Sequence, residues 1–308
     1  MDLTQLYEQQ VRDFELARIN YEHLKNVVYR TVHFPDFNIR LQYNPARMIS
    51  TNAKIDATTL LNRKCFLCPE QMPKEQKGIA YGDRYHIFIN PYPIFDKHFT
   101  VPASDHTPQL ICGRFEDLLS LTFDFPEYTT FYNGPSCGAS APDHFHFQMV
   151  PRHRMPLEED IDKVSLREYI LQKEHYSLST LNRYRRNILL LQGTDRQLLS
   201  RLYTRIQKIV GEEIPYEEEP MMNLLAWFEK NQWTICIFPR KTRRPWQFYA
   251  EGKEQVLFSP GCVDMAGLII APRREDFDRY SEELLTDLFR QVCAEKEDWD
   301  RILQRLKE

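Results

Sequence analysis

The chain has 308 residues, which is enough for one large domain or two ordinary ones with a substantial core. A formal charge of −4 excludes the basic surface that nucleic-acid-binding and acidic-membrane-binding proteins present. The N-terminus lacks the pattern of an export signal and no apolar run could span a bilayer, so the seven cysteines indicate a reduced, cytoplasmic protein.

The first half of the chain alternates predicted helices and strands. Apolar side chains recur at helical spacing over 9–30 and again over 114–123, and both stretches are predicted to be helices. Alternating or continuous apolar runs predict strands in the segments 37–43, 84–95, 98–103 and 128–134. Antiparallel strands interrupted by helices indicate the α+β class.

The second half begins with a charged region, 152–190, which is interpreted as a connection with some helix. An amphipathic helix is predicted over 195–212, and a last helix from about 275 to the end. Strands are predicted between these helices, at 222–229, 234–240, 247–251 and 266–273. The basic run over 239–245 is interpreted as a solvated loop, with phosphate contact as the alternative.

The stretch GASAPDHFHFQ, residues 138–148, has the clearest chemical pattern. Because side chains of a strand alternate between faces, an edge or near-surface strand over 144–150 would place His144, His146 and Gln148 on one face. The other face would then carry apolar side chains for the core. A turn over 138–140 precedes the strand and can offer backbone N–H groups to an anion.

Cys65 and Cys68 form a C-x-x-C pair, which can supply two of the four ligands of a tetrahedral zinc ion. The alternatives are two core cysteines or a redox pair, and the redox interpretation is weakened by the absence of a βαβ pattern around it. The histidines available to complete a zinc site are His86, His98, His106 and His144.

Taken together, these motifs resemble the histidine-triad (HIT-like) superfamily, in its tandem branch of galactose-1-phosphate uridylyltransferase, diadenosine tetraphosphate phosphorylase and GDP-hexose phosphorylases. The likeness is carried by the stretch 138–148, by YNG at 132–134, and by NPYPIFDKHFTVPASDH over 90–106. It implies an antiparallel sheet with flanking helices in two tandem HIT-like halves. We predict an N-terminal half with the active site over 1–170 and a C-terminal half over 171–308.

The resemblance also implies a structural zinc held by Cys65, Cys68, His106 and His144, with His98 as the alternative to His106. Without zinc, His144 would serve to orient its neighbour through hydrogen bonds. His86, His98 and His153 are otherwise interpreted as ordinary core or surface histidines.

For the chemistry, the resemblance implies that His146 is the nucleophile and forms a covalent nucleotidyl intermediate. Gln148 stands where triad hydrolases have a third histidine, and an amide can donate a hydrogen bond to a phosphate oxygen but cannot transfer a proton. Transfer or phosphorolysis is therefore favoured over hydrolysis. Binding of the phosphates is assigned to four residues: Asn133, Gly138, Ala139 and Ser140.

The predicted activity is that of a nucleotidyltransferase or nucleotide phosphorylase. It would act on a nucleoside-diphosphate sugar or dinucleoside polyphosphate, with phosphate or a sugar phosphate as acceptor. The alternatives are a HIT-type nucleotide hydrolase and a non-catalytic, zinc-stabilised nucleotide-binding protein. Neither nucleic acid nor membrane is expected as a partner. The base, the sugar and the oligomeric state, which in relatives is often a homodimer, are left open by the sequence.

Overall fold

The computed structural model describes residues 2–48 and 57–308. Its N-terminal segment contains two helices and two strands, in the order α1 (Leu3–Asp13), α2 (Glu15–Leu24), β1 (Val28–His33) and β2 (Asn38–Tyr43). The single helix predicted over 9–30 is therefore wrong. Phe14 interrupts it with extended backbone (φ −111°, ψ 103°) while burying its ring, and the last predicted turn belongs to β1.

The rest of the first half follows the predicted order of elements, with shorter strands and two elements that were not predicted, the helix α3 and the strand β3. The elements are α3 (Ala57–Asn62), β3 (Gly78–Tyr81), β4 (Tyr85–Ile89), β5 (Phe99–Pro102), α4 (Phe115–Asp124), β6 (Tyr128–Asn133) and β7 (His146–Pro151).

The second half contains more strands than the sequence predicts. Its elements are α5 (Leu157–Asp160), β8 (Arg167–Gln172), β9 (Tyr176–Leu181), β10 (Leu189–Gly193), α6 (Arg196–Glu213), β11 (Met222–Glu229), β12 (Gln232–Pro239), α7 (Cys262–Met265), β13 (Leu268–Ala271), α8 (Arg274–Arg279), α9 (Glu282–Val292) and α10 (Lys296–Lys307). The regular structure of the region 152–190 is thus mostly β-strand, with the short helix α5 beside it. The strand predicted over 247–251 is wrong, since a 3₁₀ turn occupies Trp246–Phe248, and the last predicted helix is three helices.

Ten strands of the described chain form one antiparallel sheet, in the order β3-β4-β5-β7-β6-β11-β12-β10-β9-β8. The two halves meet where β6 pairs with β11, with Asn133 opposite Asn223. Outward from this junction, the strands follow the order β6, β7, β5, β4, β3 in the first half and β11, β12, β10, β9, β8 in the second. Each half therefore begins with a pair of consecutive strands and continues with the three strands that precede this pair, in reverse chain order. The α+β class is confirmed, whereas the boundary at residue 170 remains a prediction.

The large sheet is covered on both faces, so its strands are largely buried. One face packs against α4, α6 and α10 through a continuous apolar cluster that includes Phe147, Leu199 and Ile302. The opposite face packs against a three-stranded sheet, β1-β2-β13, and against α7, α8 and α9. In this small sheet, β13 from the C-terminal part of the chain pairs in parallel with β2 from the N-terminal part. This pairing joins the two parts of the chain. No helix in the described ranges is both long enough and apolar enough to cross a bilayer.

Candidate active site

A cavity of about 670 Å³ lies on the face of the large sheet that carries the three-stranded sheet. The first half contributes to its wall all six residues predicted to act on the substrate, namely Asn133, Gly138, Ala139, Ser140, His146 and Gln148. The second half contributes Arg243 and a loop around Gly261. Both halves therefore shape one cavity, close to the strand junction.

The alternation predicted for β7 is present, but the strand is not at an edge. It lies between β5 and β6, with Pro102 opposite His146 on one side and Phe131 opposite Gln148 on the other. His146 and Gln148 face the cavity, whereas Phe147 and Met149 pack against the helices. An inner strand gives these two side chains a rigid base, because the backbone on both sides is hydrogen-bonded.

The imidazole of His146 is held in one orientation and faces the cavity through one nitrogen. Its Nδ1 lies 2.9 Å from the carbonyl oxygen of His144, to which it donates, so Nε2 retains its lone pair. The residue is only 4% exposed, and burial lowers the pKa of His146 to about 4. The ring is therefore neutral near pH 7, which is the form that can act as a nucleophile.

The side chain of Gln109 holds the backbone of His146 in place through hydrogen bonds. Its Oε1 accepts from His146 N–H at 2.7 Å, and its Nε2 donates to the carbonyl oxygens of His146 and Asn133, both at 3.0 Å. The side chain is fully buried. One amide thus aligns the ends of β6 and β7, a role the sequence analysis missed because it depends on contacts across 24 and 37 residues.

Gln148 is oriented by His98, which sequence analysis treated as an ordinary histidine or a fallback metal ligand. His98 Nδ1 accepts from the N–H of Ile94 at 3.3 Å, so Nε2 carries the proton and donates to Gln148 Oε1 at 2.8 Å. Complete burial lowers the pKa of His98 to about 3, so the ring stays neutral. The carbonyl end of Gln148 is therefore engaged, and its amide nitrogen is the end that remains for a ligand in the cavity.

Asn133 is oriented in the same way, by groups of the second half. Its Oδ1 accepts from Asn223 Nδ2 at 2.8 Å and from the N–H of Cys262 at 2.7 Å. Its amide nitrogen is thus also directed away from these partners. Gly138 has a φ of +97°, and a Cβ there would lie 2.8 Å from Gly261 Cα, so the turn after β6 packs directly on the second-half loop.

A second cluster lies beside the cavity and contains four predicted metal ligands. One ligand atom from each of Cys65, Cys68, His106 and His144 lies within 4.8 Å of the others. Cys65 Sγ is 3.3 Å from His144 Nδ1, and Cys68 Sγ is 3.2 Å from His106 Nδ1. A tetrahedral zinc ion would hold such sulfur–nitrogen pairs about 3.5 Å apart, so the donor set fits a metal ion.

His144 belongs to this cluster and not to the cavity wall, although it shares an alternation with His146. Its Nε2 lies 2.9 Å from the carbonyl oxygen of Ala103 and donates to it, which leaves Nδ1 free to bind a metal. His98 and His86 are not members of this cluster. Two residues before His146, the chain is therefore tied to the Cys65–Cys68 loop.

Comparison with known proteins agrees with this architecture. The first half, residues 6–151, matches the family described as "Domain of unknown function (DUF4922)", and residues 160–308 match the "GDPGP1-like, C-terminal domain". The two matches lie end to end and correspond to the first and second halves of the chain. No curated protein matches it significantly by sequence.

Among solved structures, the fold is similar to that of yeast Ap4A phosphorylase Apa2. The uncomplexed structure shares 17% identity with a TM-score of 0.62, covering 93% of this chain and 97% of the yeast chain. The structure with AMP gives 16% identity and a TM-score of 0.60 over 94% and 96% of the two chains. The structure with Ap4A gives 17% and 0.59 over 94% and 97%. The predicted HIT-like fold with two tandem halves is thereby confirmed.

Proposed function

We propose that this protein is a nucleotide phosphorylase that transfers a nucleotidyl group through His146. The substrate would be a nucleoside-diphosphate sugar or a dinucleoside polyphosphate, and the acceptor inorganic phosphate. The observation that carries this proposal is the neutral imidazole of His146, whose Nε2 faces a cavity of about 670 Å³ also lined by Asn133 and Gln148. The fold shared with a yeast protein solved with AMP and with Ap4A supports a nucleotide as ligand.

In the first step, Nε2 of His146 attacks the α-phosphorus and the bond from phosphorus to the leaving phosphate oxygen breaks. The positive charge that develops on the ring is stabilised by the hydrogen bond from Nδ1 to the His144 carbonyl. The amides of Gln148 and Asn133 donate to the non-bridging oxygens, where negative charge increases. In the second step, an oxygen of inorganic phosphate attacks phosphorus, and the electron pair of the N–P bond returns to Nε2.

Gln148 argues for phosphorolysis over hydrolysis. Its amide cannot transfer a proton, and its carbonyl oxygen is occupied by His98. A leaving phosphate needs little protonation, and an acceptor phosphate is already ionised at pH 7. Attack by water, in contrast, gains from a general base.

We also propose that the Cys65, Cys68, His106 and His144 cluster holds zinc in a structural role. The ion would fix the Cys65–Cys68 loop to His144, and with it the carbonyl that orients His146. Metal analysis of the purified protein tests this, with Cys65→Ser as the variant and Cys112→Ser, an exposed free cysteine, as the matched control. We expect one zinc per chain in the control and none in Cys65→Ser. Equal metal content in the two variants would contradict the assignment.

The activity is tested by exchange of labelled inorganic phosphate into each of the four common nucleoside diphosphates. A ping-pong phosphorylase catalyses this exchange without any sugar or second nucleotide, because the nucleotidyl-histidine forms and reverts. A parallel reaction with α-labelled nucleotide, quenched without acid, should trap an acid-labile adduct on the protein.

The two rival functions give different results. Release of nucleoside monophosphate at a rate independent of phosphate would indicate a hydrolase. Saturable nucleotide binding with neither adduct nor exchange would indicate a non-catalytic binding protein. Either result would overturn the proposal.

A further inference from the structure

Arg243 is a cation of the second half that lines the same cavity as His146. It lies in the basic segment that follows β12, which the sequence analysis interpreted as a solvated loop. The described part of the chain offers its guanidinium no ion pair, and its Nε is buried there without a hydrogen-bond partner. An uncompensated, partly buried cation in a cavity wall is a site that an anion can complete.

The segment that carries Arg243 is held in place from beneath by Arg240, which is fully buried. Arg240 Nη2 donates to the carbonyl oxygens of Thr242 and Arg243, both at 3.1 Å, and its Nη1 donates to Asn223 Oδ1 at 2.9 Å. Asn223 in turn donates to Asn133. The position of Arg243 is thus coupled through two side chains to an amide that faces the cavity.

The charge around this segment is positive. Arg240 bonds to main-chain and amide carbonyl oxygens, so its charge is solvated but not neutralised by a carboxylate. Burial, together with the neighbouring Arg244, lowers the pKa of Arg243 to about 10, so it remains protonated at neutral pH. By contrast, Arg63 on the first-half side of the cavity is paired with Asp143.

We propose that Arg243 binds the phosphate group that is exchanged at the α-phosphorus, first the leaving phosphate of the substrate and then the acceptor inorganic phosphate. This inference rests on the proposed function. Leaving and entering groups both lie opposite the histidine in an in-line displacement, so one subsite serves both steps. In each step one phosphorus–oxygen or phosphorus–nitrogen bond forms while the other breaks, and Arg243 neutralises the phosphate oxygens without exchanging a proton. The second half would thereby set the choice of acceptor.

The test is the phosphate dependence of the labelled phosphate–nucleoside diphosphate exchange in the full-length protein. Arg243→Gln should raise the phosphate concentration that gives half-maximal exchange by roughly tenfold or more, since a bidentate, charge-assisted contact is lost. Arg243→Lys retains the charge without the planar fork and should give an intermediate value. Lys241→Gln is the matched control, because it removes a charge from the same segment at a residue paired with Glu295 outside the cavity wall. Its phosphate dependence should equal that of the wild type.

The outcomes separate the inference from the proposed function. No adduct and no exchange in the wild-type protein would overturn both. Wild-type exchange with an unchanged phosphate dependence in Arg243→Gln would overturn the inference alone. An equal rise in Arg243→Gln and Lys241→Gln would also overturn it, because the effect would then be one of overall charge. Should Arg243→Gln fail to fold, a phosphate requirement in Arg243→Lys within about twofold of wild type would contradict bidentate recognition.

Discussion

The two halves of the large sheet share a strand order but use the equivalent strand differently. In the first half, β7 turns His146 and Gln148 toward the cavity. In the second half, β12 occupies the corresponding place in the order, next to β11 and β10, and turns Cys236 and Phe238 toward the same side. Both of these side chains are fully buried in the apolar core. On this face of the sheet, β7 therefore presents polar side chains to a cavity, whereas β12 presents apolar side chains that are packed in the core.

The second half nevertheless contributes groups to the site. Asn223 and the N–H of Cys262 orient Asn133, and Arg243 enters the cavity wall. The difference teaches that, in a repeated fold, one copy can line a cavity with polar groups while the other supplies groups that position them. This division is tested by variants that should change either the exchange activity or the stability of the fold, but not both.

The largest expected effect is on His146. His146→Asn removes the nucleophilic nitrogen and should lower exchange activity by at least ~10³-fold and abolish the labelled adduct. The thermal midpoint should change little, because Asn can keep a polar contact to the cavity. His153→Asn is the control, since His153 is exposed with a φ of 62°, a conformation that Asn tolerates. A persistent adduct in His146→Asn would show that the first half does not act as assigned.

For β12 we expect the opposite result, a loss of stability without a loss of activity. Ile235→Ala removes a fully buried side chain from the helix-facing core and should lower the free energy of unfolding by about 2–5 kcal/mol. Activity per folded molecule should be retained, because Ile235 does not line the cavity. Urea unfolding monitored alongside exchange at low temperature measures both quantities. A loss of activity without a loss of stability would break the comparison between the strands.

The sequence predicts this division only in part. The order of strands and helix in the first half follows from apolar patterning, and the alternation around His146 places its side chain on the correct face. That β7 is an inner strand could not be inferred, because alternation does not reveal which strands pair on either side. The break at Phe14 was missed for a similar reason: tertiary burial of the ring, not a Pro or Gly, interrupts the helix.

The strands β8, β9 and β10 were missed because their composition resembles that of other structures. β8 is the last strand of the large sheet and carries charged side chains such as Arg167 and Glu168. β10 is a short apolar run, which periodicity cannot distinguish from buried helix. In the site, the clustering of Cys65, Cys68, His106 and His144 followed from family resemblance and not from spacing. The roles of His98 and Gln109 were missed because they depend on partners distant in the chain.

A smaller effect, on the pH dependence of stability, is expected at Glu219, a second-half residue that contacts Gln109 through Tyr132. Tyr132 Oη lies 2.7 Å from the Gln109 carbonyl oxygen and also contacts the carboxyl of Glu219. A hydroxyl has one proton, so a protonated Glu219 satisfies both contacts, and burial raises the pKa of Glu219 to about 7. Because the folded pKa lies above the unfolded one, this contribution to stability is present below pH ~4.5 and is lost as pH rises through 7.

Glu219→Gln mimics the protonated carboxyl and should remove that dependence. Relative to the variant, the wild-type protein should lose up to about 1.4 kcal/mol of unfolding free energy per pH unit across this window. Denaturant unfolding of both proteins at pH 5, 6, 7 and 8 measures the difference. Parallel curves for the two proteins would mean that Glu219 is ionised in the fold, and that Tyr132 donates to it instead of to Gln109.

The smallest effect is expected at His98, which touches the cavity only through Gln148. His98→Leu leaves Oε1 of Gln148 without its donor, so the amide can rotate and present oxygen, instead of nitrogen, to a phosphate. One lost hydrogen bond of this kind should lower kcat by roughly tenfold. His98→Gln, whose amide nitrogen can take the place of the imidazole Nε2 and donate to Gln148, should recover part of the loss, and Gln148→Ala should make the His98→Leu change almost silent. Independent, additive effects of His98→Leu and Gln148→Ala would show that His98 acts through packing alone, because a positioning residue has no effect once the group it positions is gone.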